Sequence, residues 1–311
     1  MNAITHQPAP PVEVRDLTCR YGAFTAVDRV SFTVGHGELF ALLGTNGAGK
    51  TTTLETAIGL RRPASGTARV LGRDPGRHRR ELAGAVAVIG QETGFADDLT
   101  VAETLKLWTD LHRLAPRAEL LERVDLAHRA QVRVGALSGG ERRRLDLALA
   151  AATDPEVLFA DEPTTGLDPA SRRRTWGLLR ELTEQGTAVV LTTHYLDEAA
   201  ELADHVAIMD RGRIVRFGTV AEITASYEAR ITARPEPFDP IALPALAGRT
   251  AIADGRLTVR TTELQRDLHR LLDWAARDGV ALADLKAEPA TLDEIFAELE
   301  TEPADRTGAL R

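Results

Sequence analysis

The chain has 311 residues, 43% of them hydrophobic and 27% charged, a formal net charge of −8 and a pI near 5.6; that length suits one large domain with a smaller second one. The acidic balance excludes a protein that holds nucleic acid through a general basic field, although a single bound nucleotide needs only local positive charge. One cysteine, Cys19, excludes an internal disulfide and a cysteine-rich metal site, and without a run of 18 apolar residues or a basic-then-apolar start the chain is expected neither to enter a membrane nor to carry a secretion signal.

In chain order, Val12 to Arg20 and Val27 to Val34 alternate apolar with polar side chains, which predicts half-buried antiparallel strands joined through Tyr21-Gly22. The apolar run Leu39 to Leu43 predicts a buried strand. It feeds Gly44-Thr45-Asn46-Gly47-Ala48-Gly49-Lys50-Thr51, the spacing of a phosphate-binding loop, with Thr52 to Leu60 helix-prone after it. The glycines let successive N–H groups turn inward, and the helix starting near Lys50 adds its positive dipole end. The Lys50 ammonium suits the outer phosphates, and the Thr51 hydroxyl suits a magnesium shell otherwise made of phosphate oxygens, waters and a distant carboxylate. Lys50, Lys106 and Lys286 are the only lysines among 38 basic residues, so a lysine here answers a need for a compact charge. A plain glycine-rich turn is the competing reading, and the flanking strand and helix weigh against it.

Thr67 to Leu71 and Ala85 to Ile89 read as further strands between loops punctuated by Pro63, Gly66, Gly72, Pro75 and Gly76. From Thr100 to Leu126 the pattern turns helical, with Leu105, Trp108, Leu111 and Leu114 at three-residue steps and Pro116 ending the run. This predicts a helical insert over about residues 92–150. Arg142 to Ala152 reads as helix, Val157 to Ala160 as buried strand, Ser171 to Glu184 as helix closed by Gly186, and Thr187 to Thr192 as strand. Such alternation gives a parallel sheet with crossover helices, an α/β fold. After Gly218 the composition shifts. Strands are expected at Ala229 to Ala233, Arg249 to Ala253, Arg256 to Arg260 and Val280 to Leu285, with Asp254-Gly255 as a hairpin turn. A short helix near Pro240 to Ala247, a helix from Thr262 with a Thr262–Gln265 capping box, and a capped helix Thr291 to Glu300 complete a small α+β domain over 219–300, ferredoxin-like or similar. Residues 1–11 and 301–311 are expected to be flexible tails.

Val157-Leu-Phe-Ala-Asp161-Glu162 places two carboxylates at the end of a buried strand, where parallel sheets hold ligands. Asp161 suits Mg²⁺ through its water shell, and Glu162 suits orienting or deprotonating the attacking water. Alone, an Asp-Glu pair before Pro163 reads equally as a surface turn; the phosphate loop upstream selects the catalytic reading.

At this point the residues resemble one family, the nucleotide-binding subunits of ATP-binding cassette transporters. Leu137-Ser138-Gly139-Gly140-Glu141 is similar to that family's signature, and Ser138 precedes Asp161 by 23 residues. Physically it is a second phosphate clamp, with a hydroxyl, two unobstructed glycine N–H groups and a helix end. The resemblance implies that this clamp closes on ATP held by another subunit, so that two copies of the chain pair around two ATP molecules with Mg²⁺. It implies further that Tyr21 stacks on adenine, that Gln91 meets Mg²⁺ and links the site to the insert, that Asp168 of Thr165-Gly-Leu-Asp168 lies in a loop crossing the dimer interface, and that His194 contacts the γ-phosphate and holds Glu162 in register. Each has a bland alternative: a strand-end tyrosine, a polar loop residue, a plain turn, a structural histidine.

Residues 12–218 resemble the nucleotide-binding domain: a P-loop mixed-sheet core, an antiparallel β subdomain and the insert. Thr291-Leu-Asp-Glu-Ile-Phe-Ala-Glu-Leu resembles the tail of the daunorubicin-resistance, drug-export branch. That branch works with a separate membrane permease, which implies an ATPase, peripheral on the cytoplasmic face of the membrane, that powers export. Thr45 replaces the usual proline of the loop, Glu141 the usual glutamine of the signature, and Leu114 to Val124 is shorter than the usual linker. Glu141 adds negative charge near a phosphate clamp, and the sequence leaves open whether it turns to solvent or to Arg142 to Arg144. A soluble cassette protein acting on ribosomes or DNA is the alternative, but it usually joins two nucleotide domains or inserts long coiled coils. A nucleotide-responsive scaffold would not need Asp161, Glu162 and His194, and a small-molecule kinase would not need the signature clamp.

Overall fold

The computed structural model describes residues 9–91, 94–236 and 243–301, and the chain divides into two compact units, Met1–Phe217 and Gly218–Arg311. The first unit runs β1 (Val12–Tyr21), β2 (Phe24–Val34), β3 (Leu39–Gly44), α1 (Lys50–Ala57), β4 (Ser65–Val70), α2 (Arg79–Leu82), β5 (Val86–Ile89), α3 (Val101–His112), α4 (Glu119–Arg123), α5 (Gly139–Ala151), β6 (Val157–Asp161), α6 (Pro169–Glu184), β7 (Ala188–Thr193), α7 (Leu196–Leu202), β8 (His205–Asp210) and β9 (Arg213–Gly218). Strands β2, β1 and β4 form an antiparallel sheet, and a second sheet has the order β5-β6-β7-β3-β8-β9. Its pairs from β5 through β8 are parallel. Strand β9 follows β8 through Arg211-Gly212, both at positive φ, and so short a connection reverses direction.

Every residue of β3, β6 and β7 is buried, as continuous apolar runs require when both faces of a sheet are covered. Alternate side chains feed two cores. Leu39, Leu158 and Leu191 join Leu105, Leu145 and Leu179 of the helices, whereas Phe40, Phe159 and Val190 join Val14, Phe32 and Leu54 on the other face. Phe32 and Phe40 stack with centroids 4.6 Å apart. The carboxyl ends of β3, β5, β6 and β7 thereby come to one edge of the sheet, carrying Gly44, Ile89, Asp161 and Thr193.

The helical stretch expected from Thr100 to Leu126 holds α3 and α4 on either side of Pro116, but its apolar stripe differs from the three-residue pattern. Leu105 is buried, but Leu111 is 68% exposed. Three-residue steps of 100° per residue drift by about 60° each, so Val101, Thr104, Leu105 and Thr109, spaced by three and four, are the buried face. Strands β8 and β9 extend the sheet beyond β3.

The second unit runs α8 (Val220–Ala225), β10 (Ala229–Glu236), β11 (Arg249–Ala253), β12 (Arg256–Thr261), α9 (Leu264–Asp278), β13 (Ala281–Glu288) and α10 (Leu292–Thr301), with sheet order β11-β12-β10-β13. Asp254 and Gly255 make the hairpin with φ of 51 and 71. Leu271, Trp274 and Ala275 of α9 pack with Ile231, Leu257 and Val259 of the sheet. Two expectations fail here. Residues 243–247 of the helix expected near Pro240 to Ala247 are not helical, and 240–242 lie outside the described residues; the N–H groups of Ala247 and Gly248 donate instead to the Asp267 carboxylate at 2.9 Å. The Thr262–Gln265 box does not form, because α9 is preceded by Glu263 without a side-chain cap. Thr291 and Glu294 do form their reciprocal cap.

Candidate functional site

The phosphate loop leaves β3 and enters α1 within a tight backbone. A Cβ on Gly49, at φ 106, would lie 2.6 Å from the Ala26 carbonyl oxygen, so no larger residue fits. The Ala48 N–H donates to Thr45 O at 3.1 Å and Thr53 N–H to Gly49 O at 2.9 Å, which closes the turn and opens the helix. Lys50 is buried, and its ammonium donates to Gly44 O at 2.6 Å and Thr45 O at 3.3 Å. Burial lowers its pKa, and the charges of Glu162 and Asp161 oppose that shift. Thr52 accepts or donates a hydrogen bond with the Tyr21 hydroxyl at 3.3 Å. The Arg61 guanidinium lies 4.2 Å from the Tyr21 ring centroid, a cation–π contact that sequence reasoning missed.

Three strands supply the remaining groups. Just past β5, the Gln91 amide donates to the Thr51 hydroxyl at 3.3 Å. At the end of β6, Asp161 is 3% exposed and accepts from the Thr192 hydroxyl of β7, its partner in register. Glu162 follows at φ 50, a left-handed conformation that costs an L-residue on the order of 1 kcal/mol. Its N–H donates to Thr192 O at 3.0 Å. One carboxylate oxygen lies 3.1 Å from His194 Nδ1 and the other accepts from the Thr165 hydroxyl at 3.2 Å. Thus Lys50, Thr51, Gln91, Asp161, Glu162 and His194 gather at one sheet edge, joined by Thr192, which no motif announces, and by Thr165, which opens the Thr165-Gly-Leu-Asp168 loop but carried no role of its own in the sequence.

The signature turn is built differently. Ser138 caps α5, its hydroxyl accepting from Glu141 N–H at 3.2 Å while the Glu141 carboxylate accepts from Ser138 N–H at 2.8 Å. Arg129 Nε donates to the other Glu141 oxygen at 2.8 Å. Chiefly through this bond, the Glu141 pKa falls to about 2. Of the partners open to Glu141 in the sequence, neither solvent nor Arg142 to Arg144 is the one it takes: its charge is neutralised by Arg129. The three arginines go elsewhere, Arg142 to Gly135 O, Arg143 to Pro163 O and Arg144 to Val124 O. Leu137 is buried. A Cβ on Gly140 would lie 3.3 Å from Leu167, whereas one on Gly139 would meet no atom within 4 Å. Asp168 caps α6, accepting from Ala170 N–H at 2.9 Å and Ser171 N–H at 3.0 Å. Its pKa falls to about 2, held down first by the Ser171 hydroxyl.

Chemically, this edge offers an anion cradle with a buried cation, a carboxylate and hydroxyl for a hard cation, and a carboxylate held by a histidine. Among the described residues no group of three His, Cys, Asp or Glu side chains is gathered to hold a metal. The oxygen donors Thr51, Gln91 and Asp161 suit an ion that brings phosphate oxygens and waters with it, with the Gln91 amide turned to present its oxygen. No helix among the described residues is long and apolar enough to cross a membrane.

The model of the ABC transporter family matches residues 27–165. That of the C-terminal domain of ABC transporter domain-containing protein-like chains matches residues 229–291. The chain is 37% identical to a daunorubicin resistance ATP-binding protein of Streptomyces coeruleorubidus, covering 90% of this chain and 92% of that one. It is 40% identical to a Nod factor export ATP-binding protein of Burkholderia lata over 68% of this chain and 71% of the relative. Among solved structures, an ATP binding subunit of an ABC transporter superposes with a TM-score of 0.65 at 29% identity, covering 69% of this chain and 92% of the other.

Proposed function

Since the chain belongs to the ATP-binding subunits of ABC transporters, in the daunorubicin-resistance group, we propose that it hydrolyses ATP at two composite sites formed by two copies of itself, to power export through a separate permease. Residues 12–218 form the nucleotide-binding domain in this reading, and 219–300 the small appended one. The observation that carries it is the Glu162 carboxylate, held by His194 and Thr165 at the sheet edge that also bears the phosphate loop.

Binding begins at the loop. The Lys50 ammonium, held by its own loop's carbonyls, transfers to the phosphates, which satisfy a buried cation better than neutral oxygens do. Tyr21 offers its ring to the adenine. Thr51, Gln91 and Asp161 would hold Mg²⁺, which supplies charge neutralisation of the phosphates when bound. Glu162 accepts a hydrogen bond from the attacking water and orients it in line with the γ-phosphate, while His194 fixes the carboxylate's rotamer. The partner copy's signature turn, with the Ser138 hydroxyl and the Gly139 and Gly140 N–H groups, completes the cradle from the far side. Asp168 stands in the loop beside that interface.

Export is the reading favoured by the daunorubicin and Nod factor relatives, and it places the chain on the cytoplasmic face of the membrane through its permease. For the permease contact we assign the apolar groove of about 250 Å³ lined by Ile58, Leu60, Pro75, Leu82, Val86 and Val88. Leu60 is 59% exposed there and Val88 42%. Val88 lies on the strand that leads to Gln91, so a segment seated in the groove bears on the bond between Gln91 and Thr51. The test is Glu162→Gln: the variant should bind ATP, hardly turn it over and elute as an ATP-dependent dimer. Normal turnover by that variant would contradict the assignment.

A further inference from the structure

Arg143 sits on α5, in the helix that begins with the signature turn, yet its side chain reaches the catalytic edge. The guanidinium is buried, and its whole fork is engaged. Nε donates to Pro163 O at 3.1 Å, Nη1 to Gly90 O, and Nη2 to both Asp161 O and Glu162 O, the latter at 2.7 Å. The nearest carboxylate is Asp146, one turn along the helix at 3.9 Å. Gly90 immediately precedes Gln91, while Asp161 and Glu162 are the carboxylates of the site.

We propose that Arg143 is a positioning residue for hydrolysis: it brackets the peptide on either side of Glu162 and the peptide before Gln91, and so ties the signature helix to both. Resting on the reading of Glu162 as the water-orienting carboxylate, this adds the group that holds its backbone. Two observations support it. Glu162 is at φ 50, a conformation that persists only where surrounding bonds over-determine it, and the Arg143 fork binds the carbonyls of both Asp161 and Glu162. Moreover a buried cation satisfied mainly by main-chain oxygens sees backbone geometry, not side-chain charge, so displacement of α5 moves three catalytic peptides together. A lysine at the same place keeps the charge but cannot span four carbonyl oxygens.

The experiment is a kinetic cycle on the full chain with Arg143→Lys, Arg143→Gln, Glu162→Gln and the double variant Arg143→Lys with Glu162→Gln. Arg143→Lys should lower kcat by about a hundredfold, as expected for a misplacement near 1 Å, with the Kd for ATP unchanged within about twofold. In the Glu162→Gln background the same substitution should cost nothing further, a non-additivity that general loss of fold does not produce. Arg143→Gln should lower kcat at least as far. A kcat loss that is additive with Glu162→Gln, or that follows only weaker ATP binding or a lower Tm, overturns the proposal. Full turnover by Arg143→Lys beside an inactive Glu162→Gln overturns it alone, whereas full turnover by Glu162→Gln removes the catalytic reading and the proposal with it.

Discussion

Around the phosphate loop, side chains from separate elements bond to one another: Gln91 to Thr51, Thr192 to Asp161, His194 and Thr165 to Glu162. At the signature turn, Ser138 and Glu141 bond to each other, Arg129 bonds to Glu141, and a methyl group added at Gly139 would meet nothing within 4 Å. The first region is assembled by the chain's own fold. The second is satisfied by groups of its own surroundings, and its first glycine answers no packing demand of this chain, which leaves its N–H open to a phosphate brought from outside. That difference is the physical argument for a site shared between two copies.

The largest expected effect sharpens the first half of the comparison. Glu162→Gln should lower turnover by about a thousandfold, as loss of a positioned general base does, while ATP binding measured by titration persists. Next, Gly139→Ala separates packing from function. Because no neighbour is within reach, its stability in urea should be unchanged or higher by about 0.5–1 kcal/mol, the usual gain of alanine over glycine in a helix, while turnover falls at least about tenfold. A stability loss there would show that the glycine serves the chain's own fold. A smaller effect tests the neutralised charge. Arg129→Ala frees the Glu141 carboxylate beside the phosphate clamp and should raise the KM for ATP by about fivefold, and adding Glu141→Gln should restore it. Failure of that rescue would mean Arg129 acts through packing alone.

The smallest effect is in pH. The Glu141 pKa is depressed to about 2, so its contribution to stability is present above its ordinary value of 4.5 and is lost as pH falls toward 2. Asp146 has the opposite sign. Burial pushes it up to about 6, against the nearby charge of Arg143, so its contribution is present below 3.8 and is lost as pH rises through 6. Relative to Asp146→Asn, the wild type should gain on the order of 1 kcal/mol between pH 7 and pH 5 in urea unfolding; equal changes in both proteins would refute the assignment.

The loop from Gly44 to Thr51 was legible because its glycines, lysine and hydroxyl are contiguous and their geometry is local. Strands β3, β6 and β7 were legible as apolar runs. What the sequence hid is long-range. Arg142, Arg143 and Arg144 look alike in the chain, yet only the third dimension sends Arg143 to Gly90 and Glu162 and Arg144 to Val124. Arg129 lies 12 residues from Glu141 with no pattern linking them. Leu111 was misread because a three-residue step imitates a stripe without following the helix turn, and Thr262 because a capping pattern does not say where the chain leaves the preceding strand. In the second unit the hairpin at Asp254-Gly255 was legible, but the carboxylate of Asp267, which claims the N–H groups of Ala247 and Gly248, was not.

The shared site is tested most directly by mixing two inactive chains, Lys50→Ala and Ser138→Arg, and measuring phosphate release. Mixed dimers contain one site with both lesions and one with neither, so random pairing should recover about a quarter of wild-type turnover. Mixtures that stay as inactive as their components, or a Ser138→Arg chain that hydrolyses ATP unaided, would contradict a site built from two copies.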